Sequence, residues 1–364
     1  MKTNLNRTFA LVLTLCLVLS LCACGENASS GTPGTPPPVF TPSQNNDMPS
    51  GMEDDLNDAP ELDAALQINI MTLSGTTGFG MAGLISDVKN DDAPLNYSIT
   101  VETDASNVAA ALINGSADIA ALPTNAAAMV YNKTEGDVLL LALNTLGVLY
   151  LVGDADFAIE SFEDLRGMTI YCPAQNPSVI FSYLCTQNGL IPGEDIFIDN
   201  TYAQPADLRA ALASGQIEIA VLPEPLVTAA LASGEGLSVL LDLTEQWDLV
   251  SPAGSLVQGC VVVRREFFEA HPAELLQFLR DYETSVSLLS EDVAAAAEAI
   301  VDAGIFTSAA VAERAIPKCN PCFITGADMK SAMGAFLEIM FEIAPASIGG
   351  AIPDDEFYCI VSAE

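Results

Sequence analysis

The residues best suited to chemistry stand in five short clusters: Thr76-Thr77-Gly78, Thr124-Asn125, Asn144-Thr145, Gln175-Asn176-Ser178 and Glu224. Each comes shortly after an apolar run of strand length, such as Gln67–Met71, Asp118–Leu122 or Ile170-Tyr171-Cys172. In an open α/β sheet, small molecules bind beyond the carboxyl ends of the strands, where the following helices present free N–H groups. Hydroxyl, amide and N–H donors gathered there suit a carboxylate, a sulfonate or a ring carbonyl, so the set is read as ligand-binding. For any one Ser, Thr or Asn, ordinary helix capping is the alternative reading. Glu224 biases the choice of ligand. Facing a cleft, it repels an anion and favours an amine or a protonated pyrimidine; otherwise it simply complements a helix dipole. Lys133 is the candidate cation, no arginine clamp is visible, and the expected ligand is neutral or zwitterionic.

The same inventory excludes other chemistry. His271 is the only histidine, which removes a Ser-His-Asp triad and leaves little imidazole for a metal; it precedes Pro272 in the pattern of a helix start. Cys319-Asn320-Pro321-Cys322 is a lone C-x-x-C, read as a local disulfide or as two unlinked thiols and not as a zinc site. No catalytic residue, metal or cofactor is expected. With 12 Lys+Arg against 48 Asp+Glu, the net charge is −36. Such a chain repels nucleic acid, whose binding rests on basic side chains displacing counterions, and lacks the basic patch that draws proteins to anionic lipid.

The elements that must hold these clusters are written twice. Ala110-Ala111-Leu112-Ile113-Asn114-Gly115-Ser116-Ala117-Asp118-Ile119-Ala120-Ala121-Leu122-Pro123 recurs 100 positions later, from Ala210-Ala211-Leu212 through Gly215 and Glu218-Ile219-Ala220-Val221-Leu222-Pro223. Both copies read as a helix closed by a glycine, a turn with an acidic residue, a buried strand, and a proline that stops it. Strands alternating with helices imply a mainly parallel sheet covered on both faces. The repeat implies two such lobes: residues 67–153 plus 255–364 as the first, with C-terminal helices, and 154–254 as the second. The chain is expected to cross between them near Leu149–Asp156 and to return near Gly254–Val263. Leu275, Leu279, Tyr282 and Val286 form a helical packing stripe, as do Met329, Met333, Phe336, Leu337, Met340 and Phe341. Trp247 is expected in core or hinge packing, and Tyr150, at the first crossing, either lines the cleft or packs beneath it.

The N-terminus tells where the chain is sent. Lys2 and Arg7 precede an apolar stretch, Phe9–Leu21, of signal-peptide length and too short for a typical membrane span. It ends in Leu21-Cys22-Ala23-Cys24, which resembles a bacterial lipobox with Cys24 as the residue to be diacylated. Residues 1–23 then form the signal peptide, and two acyl chains give stable anchoring. Residues 24–66 read as the lipidated cysteine and a disordered tether, since the Pro-, Gly- and Asn-rich sequence cannot form a core.

A lipobox, a tether and a duplicated α/β body crossed twice resemble the solute-binding lipoprotein of an ABC importer. The body looks like the nitrate/taurine (sulfonate, thiamine-pyrimidine precursor) group of type II periplasmic-binding-protein folds. The likeness covers residues 67–364. It rests on Gly75–Gly80, on Gly115–Pro123, on Tyr131–Gly136 with Asn144–Tyr150, on Ile159–Ile170 with its Asp164-Leu165-Arg166-Gly167 turn, and on Pro223-Glu224-Pro225. The resemblance implies a non-enzymatic, monomeric capture protein on the extracytoplasmic face, taking a small polar organic solute between the lobes and passing it to permease subunits. The same fold also resembles the chorismate dehydratase-like enzymes, and a surface sensor using this fold is the third reading.

Overall fold

In a computed structural model the described residues are 62–233 and 236–360. The signal peptide, Cys24 and nearly all of the expected tether lie outside them. The tether's last residues, Leu62–Leu66, form a turn, tied by the Asp63 N–H donating to Glu274 Oε1 at 2.8 Å. Glu274 is buried in the first turn of its helix and takes this donor from the chain that precedes the body.

Eleven strands appear among the described residues: β1 (Gln67–Leu73), β2 (Asn96–Glu102), β3 (Ile119–Pro123), β4 (Val138–Thr145), β5 (Leu149–Asp154), β6 (Thr169–Tyr171), β7 (Phe197–Asp199), β8 (Ile219–Pro223), β9 (Leu237–Asp242), β10 (Gly259–Arg264) and β11 (Pro321–Ile324). They form two sheets, ordered β11-β4-β10-β3-β1-β2 and β7-β6-β8-β5-β9. Within each, the strands of the repeat are parallel to their neighbours β1 or β6, and one antiparallel strand is inserted beside them: β10 next to β3, and β5 next to β8. Setting aside β11, the two orders are the same. This is the two-lobed arrangement expected from the repeat, and it agrees with the type II fold that the resemblance implies.

The physical basis of the duplication is visible in burial. All of β4, the first four residues of β3 and β8, and most of β5 and β10 are inaccessible to solvent, as befits interior strands covered on both faces. The helices Ala105–Asn114 and Pro205–Ala213 precede the repeated strands. Gly115 and Gly215, at φ 78° and 70°, turn the chain in the left-handed region where glycine costs least.

The first crossing differs from the sequence expectation. Leu149–Gly153 is expected to complete the first lobe, with the crossing near Leu149–Asp156, yet these residues lie in β5, an interior strand of the second sheet, and the chain changes sheets at 146–148. The reason is its apolarity: Leu149, Tyr150, Leu151 and Val152 are all buried and need sheet on both sides. The return runs through 251–258 into β10.

Helices Pro272–Glu291 and Val293–Asp302 share one core with one face of the first sheet, burying Leu275, Leu279, Tyr282 and Val286 as their spacing predicts. Helix Gly326–Ile343 packs on the opposite side and buries Met329, Met333, Phe336, Leu337 and Met340. Phe341 falls at the rim of that stripe and is 41% exposed. The core under this helix is continuous across both sheets, joining Leu122 and Leu143 to Leu151 and Val221. Trp247 is part of it: the ring centroid lies 6.1 Å from Phe336 and 5.1 Å from Tyr183, and Nε1 donates to Ser255 Oγ at 2.9 Å.

All six cysteines among the described residues are free thiols. Cys319 belongs to one core and Cys322 packs against the other, so the two thiols of the C-x-x-C are not linked. No helix among the described residues is long and apolar enough to cross a membrane.

Replacing Phe336 by Ala is expected to cost about 3–5 kcal/mol in urea unfolding. Phe341→Ala should stay within about 0.5 kcal/mol of the parent. Equal losses at the two positions would mean that the helix does not bury the face assigned to it.

Candidate functional site

The register of the inserted strands brings the two carboxyl edges together. Leu149 stands opposite Pro223, and Gly259 stands opposite both Pro123 and Thr145. Each arriving strand therefore begins where the parallel strands end, and the polar clusters that follow β1, β3, β4 and β8 collect around the two crossings.

The first-sheet clusters are joined by direct hydrogen bonds. Asn144 Nδ2 donates to Thr77 O at 3.1 Å and to Tyr282 Oη at 3.0 Å, while Thr145 Oγ1 donates to Asn144 Oδ1 at 3.0 Å and reaches Thr76 O at 3.5 Å. These bonds hold the short helix Thr76–Phe79 against the end of β4. Two glycines make the approach possible. A Cβ on Gly78 would lie 1.8 Å from Leu73 O, and one on Gly259 would lie 2.4 Å from Asn144 Oδ1. Thr124 is fully buried, and its hydroxyl donates to Val257 O at 2.7 Å.

A residue that the sequence reading passed over links these clusters to the second sheet. Gln258 N donates to Thr145 O at 2.9 Å, Gln258 O accepts from Thr124 N at 3.4 Å, and Gln258 Oε1 accepts from Val148 N at 2.7 Å. Val148 O in turn accepts from Glu224 N at 2.9 Å. Its signal was available: a lone amide between Leu256-Val257 and the apolar run of β10 must be satisfied inside the fold.

Glu224 faces inward. It is 2% exposed, Oε1 accepts from Thr228 Oγ1 at 2.8 Å, and Oε2 accepts from Thr228 N at 3.0 Å. Burial pushes its carboxyl above the usual carboxylate range, opposed by the Thr228 hydrogen bonds and by the Lys318 ammonium. Tyr150 is also buried, beside Asp242 and Glu224, and its hydroxyl donates to Lys318 O at 3.1 Å.

The remaining clusters go elsewhere. Asn125 Nδ2 points to Ser347 O at 3.4 Å in the C-terminal segment, and its Oδ1 is enclosed without a partner among the described residues. Gln175 is exposed with φ 66° at the start of helix Asn176–Gln187. Asn176 Oδ1 is enclosed and without a partner among the described residues. Ser178 accepts from Asn200 Nδ2 at 3.2 Å and lines a groove of about 510 Å³ that Glu342 and Ile343 close from the other side. Lys133 stands at the far end of the helix that Thr124 opens, about 14 Å along its axis from the crossings at 1.5 Å per residue. It is therefore remote from the cluster, and the cation near Glu224 is Lys318. No arginine forms an ion pair at the crossings among the described residues. No group of His, Cys, Asp and Glu that could hold a metal occurs among the described residues.

The profile of a family described as "ABC transporter, phosphonate, periplasmic substrate-binding protein" matches residues 94–312, more than half of the chain. No curated protein sequence matches. Among solved structures, an ABC transporter protein from Parabacteroides distasonis is similar at a TM-score of 0.66 and 22% identity, over 80% of this chain and 98% of that one. The periplasmic aliphatic sulphonate binding protein SsuA from Escherichia coli is similar at a TM-score of 0.64 and 18% identity, over 80% and 91%. The ligand-binding component of an ABC-type import system from Staphylococcus aureus, with zinc bound, is similar at 0.63 and 17%, over 82% and 99%. At these identities the likeness is one of fold.

Two outcomes follow from the Glu224 environment. Thr228→Val strips the carboxylate of its hydroxyl donor and should cost about 1–3 kcal/mol in denaturant unfolding, with Thr228→Ser nearly neutral. A carboxyl whose folded pKa is raised favours folding while protonated, and that contribution disappears as pH climbs through the raised pKa. Glu224→Gln should therefore gain stability relative to the parent as pH rises above the ordinary carboxylate range; a gap independent of pH would contradict the raised direction.

Proposed function

The chain belongs to the family of phosphonate periplasmic substrate-binding proteins of ABC transporters, which makes it the solute-binding component of an ABC importer, and we propose that it captures a small, neutral or zwitterionic organic solute between its two sheets. The observation that carries this reading is the meeting of both carboxyl edges at the crossings. Thr76, Thr77, Gly78, Asn144 and Thr145 gather on one side and Glu224 on the other. Gln175 and Asn176, at the start of the helix that follows β6, complete the proposed contact set, and Ser178, bonded to Asn200, stands behind them at the groove with Glu342 and Ile343. Thr124 and Asn125, both hydrogen-bonded within the fold, shape the wall.

A sulfonate fits the chemistry of a structural neighbour and a phosphonate that of the family, while a pyrimidine rests on the resemblance read in the sequence. Glu224 and the overall charge of −36 disfavour a ligand with uncompensated negative charge. Binding biases the two sheets towards a closed arrangement, which the permease subunits recognise, and the solute leaves chemically unchanged. Diacylated Cys24 and the tether that follows it hold the monomeric body at the extracytoplasmic face of the membrane.

Native mass spectrometry of the purified full chain, followed by denaturation and identification of what is released, tests the reading. A stoichiometric, unmodified small molecule is the expected result, and adding it back in hundredfold excess over its dissociation constant should raise stability by about 2.7 kcal/mol. A molecule altered on incubation would instead assign the site to an enzyme of the chorismate dehydratase-like kind. Cys24→Ala should move the protein from the membrane fraction to the soluble one; retention there would remove the lipid anchor.

A further inference from the structure

The duplicated lobes correspond position by position at the far end of each inserted strand. Val263 of β10 stands opposite Ile119, and Gly153 of β5 stands opposite Ile219. Arg264 and Asp154 therefore fall at the same place, next to Asp118 and Glu218, the acidic residues just ahead of each repeated strand. At about 3.4 Å per residue, Asp154 lies about 17 Å along β5 from Leu149 at the crossing. The corner it occupies is remote from the proposed solute site.

In the first lobe a guanidinium fills this corner. Arg264 Nη1 donates to Gly115 O at 3.3 Å and lies 3.6 Å from Asp118 Oδ1, and Nη2 is bonded to Glu266 Oε2. A Cβ on Gly115 would meet Nη1 at 3.1 Å, and the concavity beside it measures about 230 Å³. The second lobe repeats the acceptors. Glu218 stands for Asp118, Gly215 for Gly115, and Asp156, two residues past Asp154, for Glu266, two residues past Arg264. The donor is not repeated, because an aspartate holds the arginine's place. A Cβ on Gly215 would meet nothing within 4 Å, and Asp154, Asp156, Gly215 and Glu218 line a concavity of about 700 Å³. The three carboxylates form no ion pair among the described residues. Helix Pro205–Ala213 ends at the same wall, where its last carbonyls add negative potential.

We propose that this corner of the second lobe is a binding site for a guanidinium group supplied from outside the chain. The first lobe shows the chemistry, since the same acceptor set there takes a planar fork of N–H donors from three sides. Phe157 and Leu237 give the concavity an apolar wall, which suits the stem and the flat face of the group. No carboxylates among the described residues converge on a point that could hold a metal ion. A guanidinium needs no such convergence, because its donors point apart. An arginine of another polypeptide and a small free guanidinium compound share this chemistry. The site does not depend on the capture reading and would stand if that reading failed.

The probes are acetyl-Gly-Arg-Gly-amide, its lysine and citrulline counterparts, and methylguanidinium. Each is titrated against the full chain by ligand-observed NMR at about 0.15 M salt, where diffuse attraction to a charge of −36 is screened. The arginine peptide should saturate with a dissociation constant of about 1 mM, the lysine peptide should bind about two- to fivefold more weakly, and the neutral citrulline peptide should not bind. Asp154→Arg sets the chain's own guanidinium in the corner, as in the first lobe. It should abolish saturation, unfold at no lower denaturant concentration than the parent, and leave solute binding at the crossings unchanged. Glu298→Arg makes the same charge change on helix Val293–Asp302 and should leave peptide binding intact. Glu218→Gln should weaken it about two- to fivefold. Methylguanidinium binding as tightly as the peptide assigns the site to small free compounds, and tighter peptide binding assigns it to an arginine of another chain; either supports the site. No saturation in the parent, equal binding of the citrulline peptide, or equal losses in Asp154→Arg and Glu298→Arg overturns it. Where Asp154→Arg does not fold, unchanged affinity in Glu218→Gln overturns it instead.

Discussion

Everything at the junction depends on the insertion of one antiparallel strand into each sheet, donated by chain that has just left the other. β5 can pair with β8 only by starting at Pro223, and β10 can pair with β3 only by starting at Pro123. That register places the carboxyl edges of both sheets at the crossings and leaves only a few residues to span the gap. The short links 146–148 and 251–258 are a consequence of the pairing, because any slip would turn buried faces out to solvent.

The second constraint is polar. Interior strands that end at a junction leave backbone groups with no ladder partner, and buried donors and acceptors must be satisfied. Gln258 supplies much of the answer by bonding to Thr124, Thr145 and Val148, while Asn144 ties β4 to the Thr76–Phe79 turn and to Tyr282. Several of the hydroxyl and amide groups that look free in the sequence are thereby spent on holding the edges in place. The group with unspent capacity, Gln175, lies at its margins.

Beneath the polar layer, one apolar core runs under both sheets through helix Gly326–Ile343 and Trp247. Relative motion of the sheets has to be accommodated within close-packed side chains, which respond by discrete repacking more readily than by smooth deformation. The segment from Lys318 to Asn320 adds a third connection beside the two crossings, because Lys318 O accepts from Tyr150 Oη and Asn320 bonds to Gly147 O and Leu146 N.

Much of this was legible in the residues. The repeat at 110–123 and 210–223, the terminating prolines and the left-handed glycines are local signals, each set by a backbone preference that needs no partner. The packing stripe Leu275–Val286 is equally local, because a helix repeats every 3.6 residues. The assignment of Leu149–Asp154 was not local: an apolar strand adjacent to a crossing pairs wherever it is buried on both sides, and only the completed second sheet provides that. The same holds for the polar residues. Composition and order named Thr76, Thr124, Asn144 and Glu224 as groups at strand ends, but whether each faces a ligand or a neighbour depends on what lies across the gap. Thr228, Val257 and Tyr282 lie there, from 4 to 138 positions away in sequence. Asn320 lies 173 positions from Gly147 and bonds to it only because the C-terminal chain returns over the crossing. Local sequence determined the elements and their duplication; long-range hydrogen bonding, which exists only in the folded chain, decided which side chains remain free to meet a solute.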